Sequence, residues 1–263
     1  MPNPDLQHGL DYWARQEATV DGVLGGYGNG SLPRVDALSS RLFLLSVLPG
    51  LSKIPSPLKK LDAGTEERRY RALDAGAGIG RVTDTVLLQL FDEVVLLEPV
   101  ESLIAQAVAS SVNWKGIKSK QSSVLFVKQP LQLYNASSTI TEDQIFARVG
   151  TDFDITQSGF DTVLTQWVLG HLSDRQVVRF LRQAKESLRS GGIIMVKENC
   201  CEEETPGEPE FIYDSDDSSI TRSKLTAPRS DSGWKQLFDQ AGATLVKEEV
   251  QKGFPRGLYE VKT

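Results

Sequence analysis

The segment Arg71–Arg81, reading RALDAGAGIGR, constrains the fold more than any other. A short apolar run ends in an acid and a glycine, glycines recur at Gly76, Gly78 and Gly80, and a helix-forming stretch begins at once. That order belongs to a strand–turn–helix junction, where glycine permits a sharp turn and a close ligand approach to the backbone. Downstream the pattern repeats. Spacing predicts a helix over Arg81–Phe91, a strand over Glu93–Pro99, a helix over Val100–Ser110 and a strand over Ser122–Pro130. A fourth strand lies within Phe160–Leu172, a helix with a glycine stop within Asp174–Gly192, and a fifth strand within Ile193–Asn199. Strands apolar on both faces and alternating with helices define a parallel α/β sheet. The helix Gly233–Gly242 and strands at Ala243–Val250 and Gly257–Thr263 predict an antiparallel finish.

Around this core the character changes. Residues 1–50 read as a helical cap, with a dense apolar stretch from Leu42 to Leu48. Five glycines within Gly22–Gly30 make a turned loop that either joins two helices or covers a ligand, with Tyr12 and Trp13 near enough to form an aromatic wall. Residues 51–70 form a proline- and lysine-bearing linker, and 71–263 one catalytic-type core in a single domain. Two polar stretches, near 135–158 and 202–233, read as surface insertions, the first with a short helix around Glu142–Val149.

Composition excludes several classes. The 29 basic against 35 acidic side chains give a net charge of −6, which argues against duplex nucleic acid and suits a cationic partner. Cys200 and Cys201, adjacent and the only cysteines, make neither a disulfide framework nor a zinc cluster. The opening MPNPDLQHGLDYW lacks a basic stretch followed by an apolar run, and no tract approaches the ~20 apolar residues of a spanning helix. The expectation is a soluble intracellular protein without membrane attachment.

The glycine loop itself narrows the ligand. Arg81 stands where a dinucleotide fingerprint carries its third glycine, and no Lys-Ser/Thr pair follows to cradle phosphate. Eighteen residues after Gly80, Glu98 closes the second strand, where an acid can accept ribose hydroxyls. At the exit of the fourth strand stands QWVLGHLSD, Gln166–Asp174. Ligands of open α/β sheets bind beyond the carboxyl ends of the strands, so Trp167 and His171 fall at the mouth; packing or helix capping would also account for either residue alone. Asp174 most simply caps the next helix.

Taken with YW at Tyr12–Trp13, TVDGVLGGYG at Thr19–Gly28, LDAGAGIGRVT at Leu73–Thr83, GGIIMVKEN ending at Asn199 and DSDDSS at Asp214–Ser219, these segments resemble the protein α-N-terminal methyltransferases. The likeness spans most of residues 10–261. It implies a class I methyltransferase, Rossmann-like α/β fold: a mostly parallel seven-stranded sheet with an antiparallel last strand, helices on both faces and an N-terminal helical cap. It also implies S-adenosylmethionine as cofactor, no metal, and transfer to the free amino terminus of proteins beginning Xaa-Pro-Lys, ribosomal proteins among them. A monomer in the cytoplasm, with possible nuclear access, goes with it. By resemblance Trp13, Gly76, Gly78, Gly80, Arg81, Glu98, Leu131, Gln132 and Gln166 hold the cofactor, Arg81 by its terminal carboxylate. Leu24, Gly25, Trp167, Asn199, Asp214, Asp217, Ser219 and Tyr259 hold the peptide, with Asp216 a one-residue alternative within the acidic segment. His171, Asp217 and Asn199 handle the amine. An imidazole titrates near 6.5, so His171 can take a proton from an amine near neutral pH. The ribose acid is Glu98 where Asp is usual. A small-molecule N- or O-methyltransferase of the same fold is the alternative; it would not need the acidic DSDDSS segment.

Overall fold

The computed structural model describes residues 6–52, 69–207 and 229–263. Most of the expected linker, much of the second insertion, and Asp214, Asp216, Asp217 and Ser219 lie outside the described residues.

The chain opens with α1 (Leu6–Arg15), α2 (Val20–Val23) and α3 (Leu32–Val47), in agreement with a helical cap. The core then runs β1 (Arg71–Ala75), α4 (Arg81–Thr85), β2 (Glu93–Leu97), α5 (Glu101–Ser111), α6 (Lys115–Lys118), β3 (Ser123–Val127), β4 (Ile145–Gly150), β5 (Phe160–Gln166), α7 (Asp174–Glu186), β6 (Leu188–Cys201), β7 (Arg229–Ser230), α8 (Asp231–Gln240) and β8 (Glu260–Lys262). Sheet order is β4-β3-β2-β1-β5-β6-β7, with β8 antiparallel to β6. β1, β2 and β3 are buried along their whole length, their largely apolar runs interrupted only by Arg71, Asp74, Glu93 and Ser123. One apolar cluster includes Phe180 and Leu181 of α7, a second Phe43 and Leu44 of α3 with Val86 and Phe91, and a small third one Ile79, Val100 and Leu103 with Leu10 and Trp13 of α1 against it. The cap's apolar stretch thus completes the core, although Leu42 within it stays exposed.

Several expectations change. The first insertion is not purely surface: its predicted helix is a 3₁₀ turn at Glu142–Gln144 followed by β4, antiparallel to β3 at the sheet edge. Burial along β4 alternates residue by residue, the signature of a strand with one face packed; helical spacing was read into a period of two. The helix after the glycine loop ends at Thr85 and continues as a 3₁₀ turn, Leu87–Gln89. Ser173, not Asp174, caps α7, its hydroxyl accepting from the Gln176 N–H. Asp174 pairs instead with Arg229 at 2.9 Å. The helix also ends earlier than Gly191–Gly192, and those glycines sit inside β6 where its register with β5 slips between the Phe160–Leu188 and Thr162–Ile193 pairs. Over Ala243–Val250 no regular strand forms; only its end joins β8, with Glu249 and Thr263 exchanging 2.9 Å backbone hydrogen bonds.

The N-terminal ends of the strands are locked by charge. Arg71 meets Glu93 at 2.7 Å with both side chains buried. Its backbone N–H donates to Asp161 at 2.8 Å, and its guanidinium donates to the carbonyls of Asp154 and Gln157. The pair binds β1 and β2 to the segment that leads into β5. Removing Arg71 leaves the buried Glu93 only the more exposed Arg69, at 3.2 Å, and breaking a buried pair costs up to about 3–5 kcal/mol. Arg71→Met should therefore lose stability of that order in urea denaturation, with partial recovery on adding Glu93→Gln. Folded protein should keep its ligand affinity, because this lock lies at the far end of the strands from the cavity described next.

Candidate active site

Parallel strands deliver their carboxyl ends to one edge. Here that edge opens into a cavity of about 460 Å³, within the usual size of a small-molecule site. Asp74 and the glycine loop come from β1, Glu98 from β2, Gln166 and Trp167 from β5, and Glu198 and Asn199 from β6; α1, the 23–27 loop and residues 254–261 close over them.

Of the residues singled out in the sequence, Trp13, Leu24, Gly25, Gly76, Gly78, Arg81, Glu98, Leu131, Gln132, Gln166, Trp167, His171, Asn199 and Tyr259 all line this cavity. Gly80 does not. A Cβ there would lie 2.5 Å from the Trp114 ring, so this glycine serves packing behind the loop. At Gly76 a Cβ would collide with Val168 at 2.3 Å, whereas at Gly78 it would meet only Val23 at 4.0 Å. The backbone is thus bare at Gly78, where a ligand can approach.

Burial governs the acids. Asp74 accepts from the Thr83 hydroxyl at 2.6 Å, and its pKa is pushed up to about 6 by desolvation. Glu98 accepts from the Gly78 and Val100 N–H groups, each at 2.8 Å; burial again dominates and raises it to about 7. Glu198, which sequence reasoning passed over, accepts from both Val168 and Leu169 N–H at 2.8 Å and is likewise raised to about 7 by burial. These two bonds pin an elbow in which Trp167 takes a left-handed φ of +54°. For a bulky residue that conformation is costly and persists only where its surroundings enforce it. The elbow carries Trp167 and, in the 3₁₀ turn Leu169–His171, the histidine.

The aromatic side of the cavity was only partly foreseen. Phe254, unremarked in the sequence, lies 6.2 Å from the Trp167 ring, and Arg81 stands 5.5 Å over that ring. The Trp13 indole N–H donates to His171 Nε2 at 3.3 Å, and Tyr12 packs edge-on against Trp13. Gln166 and Trp167 line the cavity, and Gln166 Oε1 and Trp167 Nε1 are buried without a hydrogen-bond partner among the described residues. Buried polar atoms are rarely left so, and an unpartnered acceptor and donor on two residues of the cavity wall fit a polar ligand. Bare backbone at Gly78, a carboxylate for hydroxyls at Glu98 and a cation at Arg81 suit S-adenosylmethionine.

A mostly parallel sheet with an antiparallel β8, a glycine loop after β1 and an acid ending β2 define a class I S-adenosylmethionine-dependent methyltransferase. The model of one family, described as AdoMet-dependent proline di-methyltransferase, matches residues 3–263, and the chain belongs to that family. It is 34% identical over 254 residues to the alpha N-terminal protein methyltransferase 1 of Arabidopsis thaliana, covering 97% of this chain and 76% of the relative. It is 34% identical to the human N-terminal Xaa-Pro-Lys N-methyltransferase 1, covering 95% and 89%. Among solved structures, a SAM-dependent methyltransferase from Leishmania major superposes with a TM-score of 0.70 at 28% identity, over 97% of this chain and 80% of that one.

The raised acids have a consequence for stability. A carboxyl whose folded pKa exceeds its unfolded value binds its proton more tightly in the native state, so stability falls as pH rises between the two values. For Glu198 that window runs from the ordinary 4.5 to about 7. Glu198→Gln keeps an oxygen for the Val168 and Leu169 N–H groups and removes the titration. Unfolding free energy measured by urea from pH 5 to 7.5 should fall less steeply in the variant than in the wild type, with the residual slope left to Asp74 and Glu98.

Proposed function

We propose that this chain methylates the free α-amino group of proteins beginning Xaa-Pro-Lys, after removal of the initiator methionine, with S-adenosylmethionine as donor. The observation that carries the reading is one cavity with two kinds of wall: the glycine loop, Glu98 and Arg81 on one side, and Trp167, Asn199, Tyr259 and His171 on the other. Relatives named for this activity match nearly the whole chain.

When bound, S-adenosylmethionine supplies an electrophilic methyl group on a sulfonium sulfur. Glu98 receives ribose hydroxyls through lone pairs left over from its two backbone bonds, Leu131 and Gln132 flank the base, and Arg81 takes the carboxylate. On the acceptor side the amine must be neutral to attack, and a free α-amine titrates at about 7.7–8.0. Asn199 offers a neutral acceptor that aims the lone pair. His171 takes the amine proton at a ring nitrogen. With the Trp13 indole donating to Nε2, a neutral imidazole carries its own proton on Nδ1, so the amine takes the indole's place at Nε2. Trp167 and Phe254 form the aromatic wall for the second-position proline, which brings no N–H to satisfy. Asp214 pairs with the third-position Lys, and Asp217 orients the amine or shares its proton. Two carboxylates near an amine favour its charged form, and a histidine acceptor offsets that cost. Ribosomal proteins are the substrates, and a monomer working in the cytoplasm with nuclear access is the setting the resemblance implies.

Mass spectrometry of a Pro-Pro-Lys peptide incubated with enzyme and S-adenosylmethionine should show methyl addition to the free peptide and none to its N-acetylated twin. Methylation of a small amine or phenol with neither peptide modified would favour the small-molecule alternative. His171→Gln should lower kcat by about 10²–10⁴-fold with donor affinity near wild type, since general bases contribute on that scale. An unchanged kcat would make His171 structural and send the proton through Asp217 or water.

A further inference from the structure

Asp36, on α3, has no role above, yet it is the most heavily engaged carboxylate near the site. It is fully buried. Its Oδ2 meets Arg81 Nη1 at 2.5 Å, its Oδ1 meets Lys197 Nζ at 2.6 Å, and Gln166 Nε2 donates to the two oxygens at 2.9 and 3.0 Å. Lys197 is itself fully buried and also donates to Ser40 and Gln251. Burial alone would push the Asp36 carboxyl up, but the charges of Arg81 and Lys197 outweigh it and hold the group below its ordinary range. Asp36 does not line the cavity, but two of its partners, Arg81 and Gln166, do.

An ionised carboxylate accepts and never donates. The Gln166 amide must therefore turn its NH₂ toward Asp36, which forces Oε1 the other way, where it lies buried and unpartnered. Arg81 spends Nη1 on Asp36 and keeps the rest of its fork for another anion. One side chain from the cap thus sets the amide orientation of Gln166, with Oε1 left unpartnered, and holds Arg81 beside the same cavity, a pairing that suits an α-ammonium beside an α-carboxylate.

We propose that Asp36 is a positioning residue for the methyl donor: it orients Gln166 and Arg81 toward the donor's amino-acid end, and so couples donor binding to the docking of α3. The inference rests on the donor reading above. Because coupling is reciprocal, bound donor should tighten α3 as much as α3 tightens the donor.

Calorimetric titration separates this from a merely structural ion pair. S-adenosylhomocysteine is the probe, since it keeps the amino-acid end and transfers nothing; adenosine lacks that end. Asp36→Asn frees the Gln166 amide to flip, and should weaken S-adenosylhomocysteine about tenfold or more, the scale of a hydrogen bond to a charged group, while leaving adenosine nearly unchanged. Asp36→Asn strands the buried Lys197 charge, so Asp36→Asn/Lys197→Met is the control: its melting temperature should recover, its S-adenosylhomocysteine affinity should not. Recovery of both, or equal loss for both ligands, would overturn the proposal. Hydrogen exchange of the wild-type protein decides even if neither variant folds: S-adenosylhomocysteine should slow exchange in α3 (Leu32–Val47) and adenosine should slow it less. Equal or absent protection would overturn the coupling, and failure of the wild type to bind S-adenosylhomocysteine at all would overturn the donor reading with it.

Discussion

The site follows from a backbone constraint, the parallel hydrogen-bond register of β1 with β2 on one side and β5 on the other. Ala75 is level with Leu97 and with Thr165, so Gly76, Glu98 and Gln166 emerge side by side at one edge. No side-chain preference achieves that. It comes from ladder geometry, which brings the carboxyl ends of the parallel strands to the same edge of the sheet. The loops that leave this edge then have no choice but to meet over a common space.

That space is lined with more buried charge than its apolar strands suggest. Desolvation raises Asp74, Glu98 and Glu198, each restrained by hydrogen bonds to backbone or hydroxyl. Asp36, just outside the cavity wall, goes the other way, because Arg81 and Lys197 both sit against it. The two kinds of acid differ in what they hold: those committed to backbone N–H groups shape loops, while the carboxylate committed to cations holds Arg81 and Gln166 of the cavity wall. Glu198 shows the first use, spending one oxygen on two N–H groups to hold the unfavourable backbone at Trp167.

The cap contributes to both halves of the cavity. α3 reaches Arg81 through Asp36, and α1 reaches His171 through the Trp13 hydrogen bond. Its removal would therefore do more than uncover a pocket; it would release the orientation of Arg81, Gln166 and His171 together.

By itself the sequence determined the fold class and most of the cavity wall. Glycines at 76 and 78, Glu98, and the QWVLGHL exit are local signals, because a turn, a strand end and a loop are written in neighbouring residues. The same locality explains the errors. Helical spacing and strand alternation are hard to separate in six residues, so β4 has the local look of a helix, and the glycine pair inside β6 that of a helix stop, although it marks the bulge against β5. Gly80 was placed with its two companions although its neighbour is Trp114, which lies 34 positions on. Only the tertiary structure decided that Asp36 meets Arg81, Gln166 and Lys197, that Glu198 holds the elbow, and that Phe254 faces Trp167. Each is an isolated residue in an ordinary context, and its partners lie 29 to 161 positions away, from Leu169–Glu198 at the near end to Asp36–Lys197 at the far one. A single buried carboxylate has no periodicity to betray it, and its meaning is set by the charges the fold brings beside it.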